Sequence, residues 1–246
     1  MRDTDDYFGE QVAATYDESS AAMFEPGVVD PAVTFLAESA EDGPALEFGI
    51  GTGRIALPLA ARGVPVHGID TSPAMLARLR AKAGGDEIAV TIGDFASTKL
   101  TSRFSLVYLV FNTIMNVTTQ AGQVACFRNA AAHLRPGGRF VVEVMMPELR
   151  GLAPGRNTVL SRTGSSKWAY DEYDIATQTM SSNYLEVVEG RGSYRSIPFR
   201  YVWPAELDLM AEIAGLRLDA RWDGWTREPF TSESRGHVSV WQKPGG

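Results

Sequence analysis

Residues Ala45 to Arg62 read ALEFGIGTGRIALPLAAR, and this stretch decides how the rest of the chain is read. Ala45 to Phe48 is a short apolar run carrying one acid, Glu47. Gly49, Gly51 and Gly53 then alternate through a turn, Arg54 follows, and an alanine- and leucine-rich segment begins. A buried strand, a glycine loop and a helix start are the parts of a site where backbone approaches a ligand closely. Glycine suits such a loop because it accepts positive φ and has no Cβ to hold a ligand away. The spacing is G-x-G-x-G, not the G-x-G-x-x-G of dinucleotide folds. Arg54 to Arg62 is expected to be helical, and Pro58 inside it predicts a kink or a late start.

Downstream, strands and helices alternate. Val64 to Ile69 reads as a second strand ending at Asp70. A strand-end carboxylate there can accept hydrogen bonds from both hydroxyls of a ribose, or serve simply as an acid near a helix N-terminus. Thr71 follows, and Ser72-Pro73 caps a helix through Leu79 with Met75 in its first turn. Ala89 to Ile92 is a third strand, followed by Gly93-Asp94-Phe95. Phe104 to Phe111 (FSLVYLVF) is nearly continuous in apolar character, as expected of a central parallel strand buried on both faces. Its carboxyl end, Asn112 to Asn116, falls where ligands bind in open α/β sheets. Asn112 and Asn116 can also act as Asx turns closing that loop. Thr119 caps a helix running to Leu134. Cys126 on it has no basic neighbour to activate it, and His133 at its end suits a helix-dipole partner. Leu134 to Gly138 is a turn into a fifth strand, Arg139 to Met145.

The strand, the G-x-G-x-G loop behind Glu47, D-x-S-x-x-M-L from Asp70, Gly93-Asp94-Phe95 and L-x-P-G-G stand in one order. Together they resemble the class I S-adenosylmethionine (SAM)-dependent methyltransferases of small-molecule type. The resemblance implies a seven-stranded Rossmann-like α/β sheet, order 3-2-1-4-5-7-6 with strand seven antiparallel. It implies SAM as cofactor and S-adenosylhomocysteine (SAH) as product. The implied cofactor-binding residues are Glu47, Gly49, Gly51, Gly53, Arg54, Asp70, Thr71, Met75, Gly93, Asp94, Phe95 and Phe111. Asp70 would take the ribose, Met75 an adenine face, and Asp94 the adenine amino group under cover of Phe95. The segment after the fourth strand is distantly similar to that of nucleotide-aminosugar N-methyltransferases, with Asn116 in place of a histidine or polar aromatic residue. The N-P-P-Y type of motif found in nucleic-acid and protein-amide methyltransferases is absent.

Residues 1–44 read as an N-terminal helical cap. Tyr7 to Tyr16 forms one short helix, and Asp30-Pro31 starts another that ends at Asp42-Gly43-Pro44. In small-molecule methyltransferases a tyrosine of a Y-D pair such as Tyr16-Asp17 often closes over the cofactor; packing of its ring on the domain is the alternative. From Pro147 the alternation stops. Lys167 to Ala176, Gln178 to Val188 and Ser193 to Trp203 read as strands, with Glu189-Gly190 as a turn. This antiparallel β insertion, residues 147–203, is expected over the substrate pocket as part of one methyltransferase domain spanning 1–246. Trp168, Tyr170 and Tyr173 are pocket-wall candidates. They could equally anchor the insertion to the core or to a second copy in a homodimer. Pro204 opens a helix ending near Gly215, and Leu216 to Trp222 and His237 to Lys243 are the last strands.

Composition narrows the partners. A net charge of −7 argues against a broad phosphate-binding surface and hence against nucleic acid. One cysteine in 246 residues excludes an internal disulfide and fits a cytoplasmic protein. No apolar run is long enough for a membrane span, and MRDTDDYFGE has no leader character. The expected reaction is methyl transfer to a small molecule, an amine nitrogen favoured over oxygen, with no metal. Tyr16, Asn112 and Asn116 would orient the acceptor. The alternatives are a SAM-binding regulator without turnover and, less favoured, a nicotinamide-dependent oxidoreductase.

Overall fold

The computed structural model describes residues 8–245, so Tyr7, where the first helix is expected to start, lies outside it. The N-terminal part comprises α1 (Glu10–Ser19), a 3-10 turn (Ala21–Phe24) and α2 (Pro26–Ala40). β1 (Ala45–Phe48), α3 (Ala56–Ala61), β2 (Val66–Asp70), α4 (Pro73–Arg80) and β3 (Ala89–Ile92) follow. β4 (Phe104–Leu109), α5 (Gln120–His133) and β5 (Leu134–Met145) complete the central strands. A block of strands comes next: β6 (Thr158–Arg162), β7 (Lys167–Asp174), β8 (Thr179–Val188) and β9 (Arg191–Arg200). The chain closes with α6 (Pro204–Ile213), β10 (Arg217–Trp222) and β11 (Gly236–Gln242).

The large sheet has the order β10-β11-β5-β4-β1-β2-β3. β11 is antiparallel to both neighbours and the other pairings are parallel. This is the 3-2-1-4-5-7-6 topology expected from the sequence. Its strands bury both faces: every residue of β1 and β4 is buried. One face packs with α5 and α6 around Phe127, Phe140 and Trp241; the other packs with α2, α3 and α4 around Phe35, Leu59 and Leu79. No helix among the described residues is long and apolar enough to cross a membrane.

Several local expectations change. α2 starts at Pro26, with Pro31 inside the helix rather than at its first position. Pro31 forgoes one hydrogen bond, while buried Val29, Ala32, Val33 and Leu36 keep the helix continuous against the sheet. α3 starts late, at Ala56, as Pro58 foretells. The turn expected over Leu134–Gly138 is taken up inside β5, whose register against β4 shifts between its Phe104 and Leu106 partners. Cys126 is buried and its thiol pKa is pushed up by burial, which suits packing rather than reactivity.

β6 to β9 form a separate four-stranded antiparallel sheet. The Glu189-Gly190 turn has both residues in the left-handed region, as a two-residue hairpin requires. β6 is an extra strand not anticipated from the sequence. The sheet is anchored at its base by Tyr173, Met180 and Tyr201, which are buried in the main core. Beside them, Arg200 pairs with Glu206 at 2.7 Å and donates to Gln123, and Gln178 also donates to Glu206. Strand alternation places Asp171 and Tyr173 on the anchored face. Trp168 and Tyr170 lie on the opposite, outer face, so the three aromatic wall candidates do not share one surface.

Candidate active site

The glycine loop rests on the carboxyl end of β2, where Gly49 N–H donates to Ile69 O at 2.8 Å. Gly51 N–H donates to Asp70 Oδ2 at 2.7 Å, and Ser72 N–H donates to Oδ1 at 2.8 Å. Asp70 therefore ties the loop to the start of α4, and its carboxylate keeps acceptor capacity for a ligand. Burial raises its pKa, and backbone N–H groups of Ser72, Gly51 and Thr71 work against that rise. Ser72 Oγ caps α4 by accepting from Met75 N–H. A Cβ built on Gly51 would meet nothing closer than Met75 Cε at 3.5 Å, so this backbone borders open space. Thr71 is exposed beside it.

Glu47 lies beneath the loop rather than in the opening. It is 3% exposed, accepts from Tyr108 OH at 2.9 Å, and takes a further hydrogen bond from the Ala56 backbone. Burial pushes its pKa up to about 8. The acid thus joins β1, β4 and the first turn of α3.

The N-terminal helix closes over the same loop. Thr52 Oγ1 donates to Asp17 Oδ1 at 2.6 Å, and Lys82 Nζ pairs with Asp17 Oδ2 at 2.5 Å. Lys82 also donates to Thr52 O at 2.8 Å, and Ser72 Oγ donates to Phe8 O at 2.6 Å. Tyr16 is half-buried within the electrostatic reach of Arg54 and Asp70. Burial raises its pKa, Arg54 lowers it, and Asp17 and Asp70 raise it further. Arg54 donates to Met23 O and stands 4.9 Å from the centroid of the Phe111 ring.

On the far side, Gly93, Asp94 and Phe95 follow β3. Asp94 is exposed and accepts from Ala96 N–H, while Phe95 stacks on Phe48 with centroids 5.5 Å apart. Buried Asn129 fixes this loop by donating to Phe95 O at 2.7 Å and Thr98 O at 2.8 Å. His133 accepts from Leu100 N–H through Nε2, so Nδ1–H donates to Asn129 O. That tautomer is neutral, and burial lowers the pKa. His133 is therefore a loop anchor and not the charged helix-dipole partner expected from its position.

Where β4 ends, Phe111 and Asn112 both adopt positive φ, 57° and 60°. Asn112 Oδ1 accepts from Met145 N–H at 2.6 Å, which commits its carbonyl to the backbone of β5. Asn116 is half-buried at the end of the 3-10 turn Thr113–Asn116. Gln123 links this turn to the second sheet by donating to both Ile114 O and Arg200 O. Tyr16, Gly51, Arg54, Asp70 and Phe111 thus gather around one opening, with Asp94 and Phe95 at one border and Asn116 toward the second sheet. Asp17, Lys82, Asn129 and Glu143 hold this region from outside the set of binding residues that the family resemblance implies. For Glu143 a signal existed: an acid interrupts the apolar run VVEVM of a central strand.

The sheet order, the glycine loop and the strand-end acid define a class, and comparison with known proteins agrees. A sequence profile described as a methyltransferase domain matches residues 45–138. The structure of the CcbJ methyltransferase from Streptomyces caelestis superposes with a TM-score of 0.84 at 37% identity, covering 97% of this chain and 98% of that one. The cypemycin N-terminal methyltransferase of a Streptomyces species is 29% identical over 203 residues, 80% of this chain and 82% of its own. The SAM-bound amino pentose methyltransferase CalS10 from Micromonospora echinaspora shares the fold, with a TM-score of 0.69 at 22% identity over 93% and 96% of the two chains. The chain belongs to the class I SAM-dependent methyltransferases. SAM is its methyl donor and SAH its product. The nicotinamide reading falls with that assignment.

Proposed function

We propose that the protein methylates an amine nitrogen of a small molecule. The observation that carries this reading is the placement of its three histidines. His67 bonds Thr91 at 2.9 Å, His133 anchors a loop, and His237 bonds Ser239 at 2.8 Å. Burial lowers the pKa of all three. His237 lies opposite Val144 near the carboxyl end of β5, but it is buried and out of reach of a substrate hydroxyl, whereas a neutral amine brings its own lone pair and needs no base. The cypemycin relative, named as an N-terminal methyltransferase, favours nitrogen as well.

Bound SAM supplies an electrophilic sulfonium methyl. In this reading the chain's work is alignment. Asp70 accepts from the ribose hydroxyls, and Gly51 lets the backbone pass close to the methionyl part, while Gly49 and Gly53 give the loop the room it needs against Thr113 and Leu79. Arg54 receives its carboxylate, with Phe111 alongside and Glu47 bracing the loop from below. Asp94 accepts from the adenine amino group, while Met75, Phe95, Gly93 and Thr71 border the base. Tyr16 closes the opening. Asn116 and the side-chain NH₂ of Asn112 orient the acceptor, whose proton leaves to solvent. Of the N-terminal cap expected over 1–44, the described residues 8–44 cap the donor, and residues 147–203 roof the acceptor, within one unit. The outer face of the roof, with Trp168 and Tyr170, is where a second copy would pair.

The test is SAH release with matched panels of small amines and hydroxyl compounds, with products identified by mass spectrometry. Turnover should appear with amines and rise with pH as the acceptor ammonium loses its proton. Methylation confined to hydroxyl acceptors would overturn the reading.

A further inference from the structure

Glu143 sits near the carboxyl end of β5, half-buried beside the opening. Its Oε2 accepts from Phe111 N–H at 2.8 Å, and its Oε1 accepts from Trp225 Nε1 at 2.8 Å. Trp225 lies between β10 and β11, with its ring edge-on to Phe35. Phe111 and Asn112 are consecutive non-glycine residues with positive φ, a conformation that L-residues avoid and that persists only where neighbours over-determine it. β5 supplies that determination. Besides the carboxylate bond to Phe111, Asn112 N–H donates to Glu143 O and Met145 N–H donates to Asn112 Oδ1. The turn aims the Phe111 ring under Arg54.

We propose that Glu143 is a positioning residue: it holds the left-handed turn at Phe111 and so fixes the Phe111 ring at the methionyl side of the cofactor. The inference rests on the reading above that Phe111 and Arg54 border that part of SAM. A carboxylate is the right group because it presents two acceptors to two donors. An amide must turn its NH₂ toward one of them.

The test is calorimetric binding of SAH and of 5′-methylthioadenosine, which keeps the adenosine and lacks the amino-acid part. Glu143→Leu should weaken SAH about tenfold, as expected for a backbone donor left unpaired, and leave methylthioadenosine unchanged. Glu143→Gln, which can still accept from Phe111 N–H, should recover most of the SAH affinity. Wild-type SAH binding by Glu143→Leu, or equal losses for both ligands, would overturn the proposal. Phe111→Ala separates the two levels: normal SAH binding there removes the cofactor reading of Phe111, and the inference with it. If Glu143→Leu does not fold, amide exchange in the wild-type protein decides. Phe111 N–H should be strongly protected, and rapid exchange would overturn the assignment.

Discussion

Two glycines of one loop should fail in opposite ways when a methyl group is added. Gly51 has φ +54° and Gly53 has φ +81°, so alanine at either position carries the left-handed penalty, about 1–2 kcal/mol. At Gly51 the added Cβ meets only Met75 Cε at 3.5 Å, an ordinary contact, and otherwise occupies the opening. At Gly53 it falls 2.3 Å from Leu79 Cδ1 and 3.1 Å from Leu57 Cγ. Leu79 is fully buried, so overpacking there adds about 1–3 kcal/mol. Gly51→Ala should therefore lose SAM binding by at least about a hundredfold, roughly 3 kcal/mol. Its Tm should fall by only about 2–8 °C, on a scale of roughly 2–4 °C per kcal/mol for a chain of this size. Gly53→Ala should fall further in Tm, by about 4–20 °C. Calorimetry with SAM and thermal unfolding measure the two axes. Gly192, with nothing within 4 Å of a built Cβ, is the control. Gly43 suits that purpose poorly despite its distance from the loop, because its Cβ would lie 2.1 Å from Ser105 Oγ. Wild-type SAM affinity in Gly51→Ala would reduce the loop to a tight turn, and equal Tm losses in the two variants would refute the packing argument.

Asp70→Ala should cost about 1.5–3 kcal/mol of SAM affinity, since charge-assisted hydrogen bonds are lost; unchanged calorimetric affinity in a folded variant would remove Asp70 from the site. Glu47 has its pKa raised to about 8 from 4.5, so its contribution to stability is complete below pH 4.5 and is lost as pH rises toward 8. Glu47→Gln should flatten the fall in unfolding free energy between pH 5 and 8, by an amount on the order of a few kcal/mol, read from denaturant unfolding at each pH; parallel profiles would show that Glu47 ionises freely. Asp17→Asn should change Tm little, because a partly exposed ion pair is worth about 0.2–1 kcal/mol. It should nonetheless weaken SAM binding severalfold by loosening α1 from Thr52, and an unaltered affinity would detach α1 from the order of the loop.

Much of the fold was legible because its punctuation is local. The glycine loop, Ser72-Pro73, Thr119 and the Glu189-Gly190 turn each dictate backbone geometry within a few residues, and the order of elements follows. Legibility fails where long-range burial overrides a local signal. Pro31 looks like a helix start, yet α2 begins at Pro26, a second proline suited to the first helical position, and buried Val29 ties that first turn down. β6 is mostly exposed and polar, so Thr158 to Arg162 carries no periodicity that marks a strand. Site residues follow the same division. Asp70 is readable from its place after a strand. The partners of Glu143 lie 32 and 82 residues away, and Asp17 finds Thr52 across 35; only folding pairs them.

The attachment of the second sheet bears on how such chains diverge. Its side-chain hydrogen bonds to the main body converge on a short stretch of contacts, through Gln123 and Glu206. Its buried anchors are Tyr173, Met180 and Tyr201. The glycine loop and the ends of β2 and β3 lie outside that seam. A lineage can therefore rewrite β6 to β9, including Ser182, Tyr184 and Ile197 beyond the anchors, and leave the inheritance of the donor loop untouched. The same partition gives the protein engineer a library: vary the free part of that face, hold the anchors and the Arg200–Glu206 pair constant, and screen with the donor machinery intact.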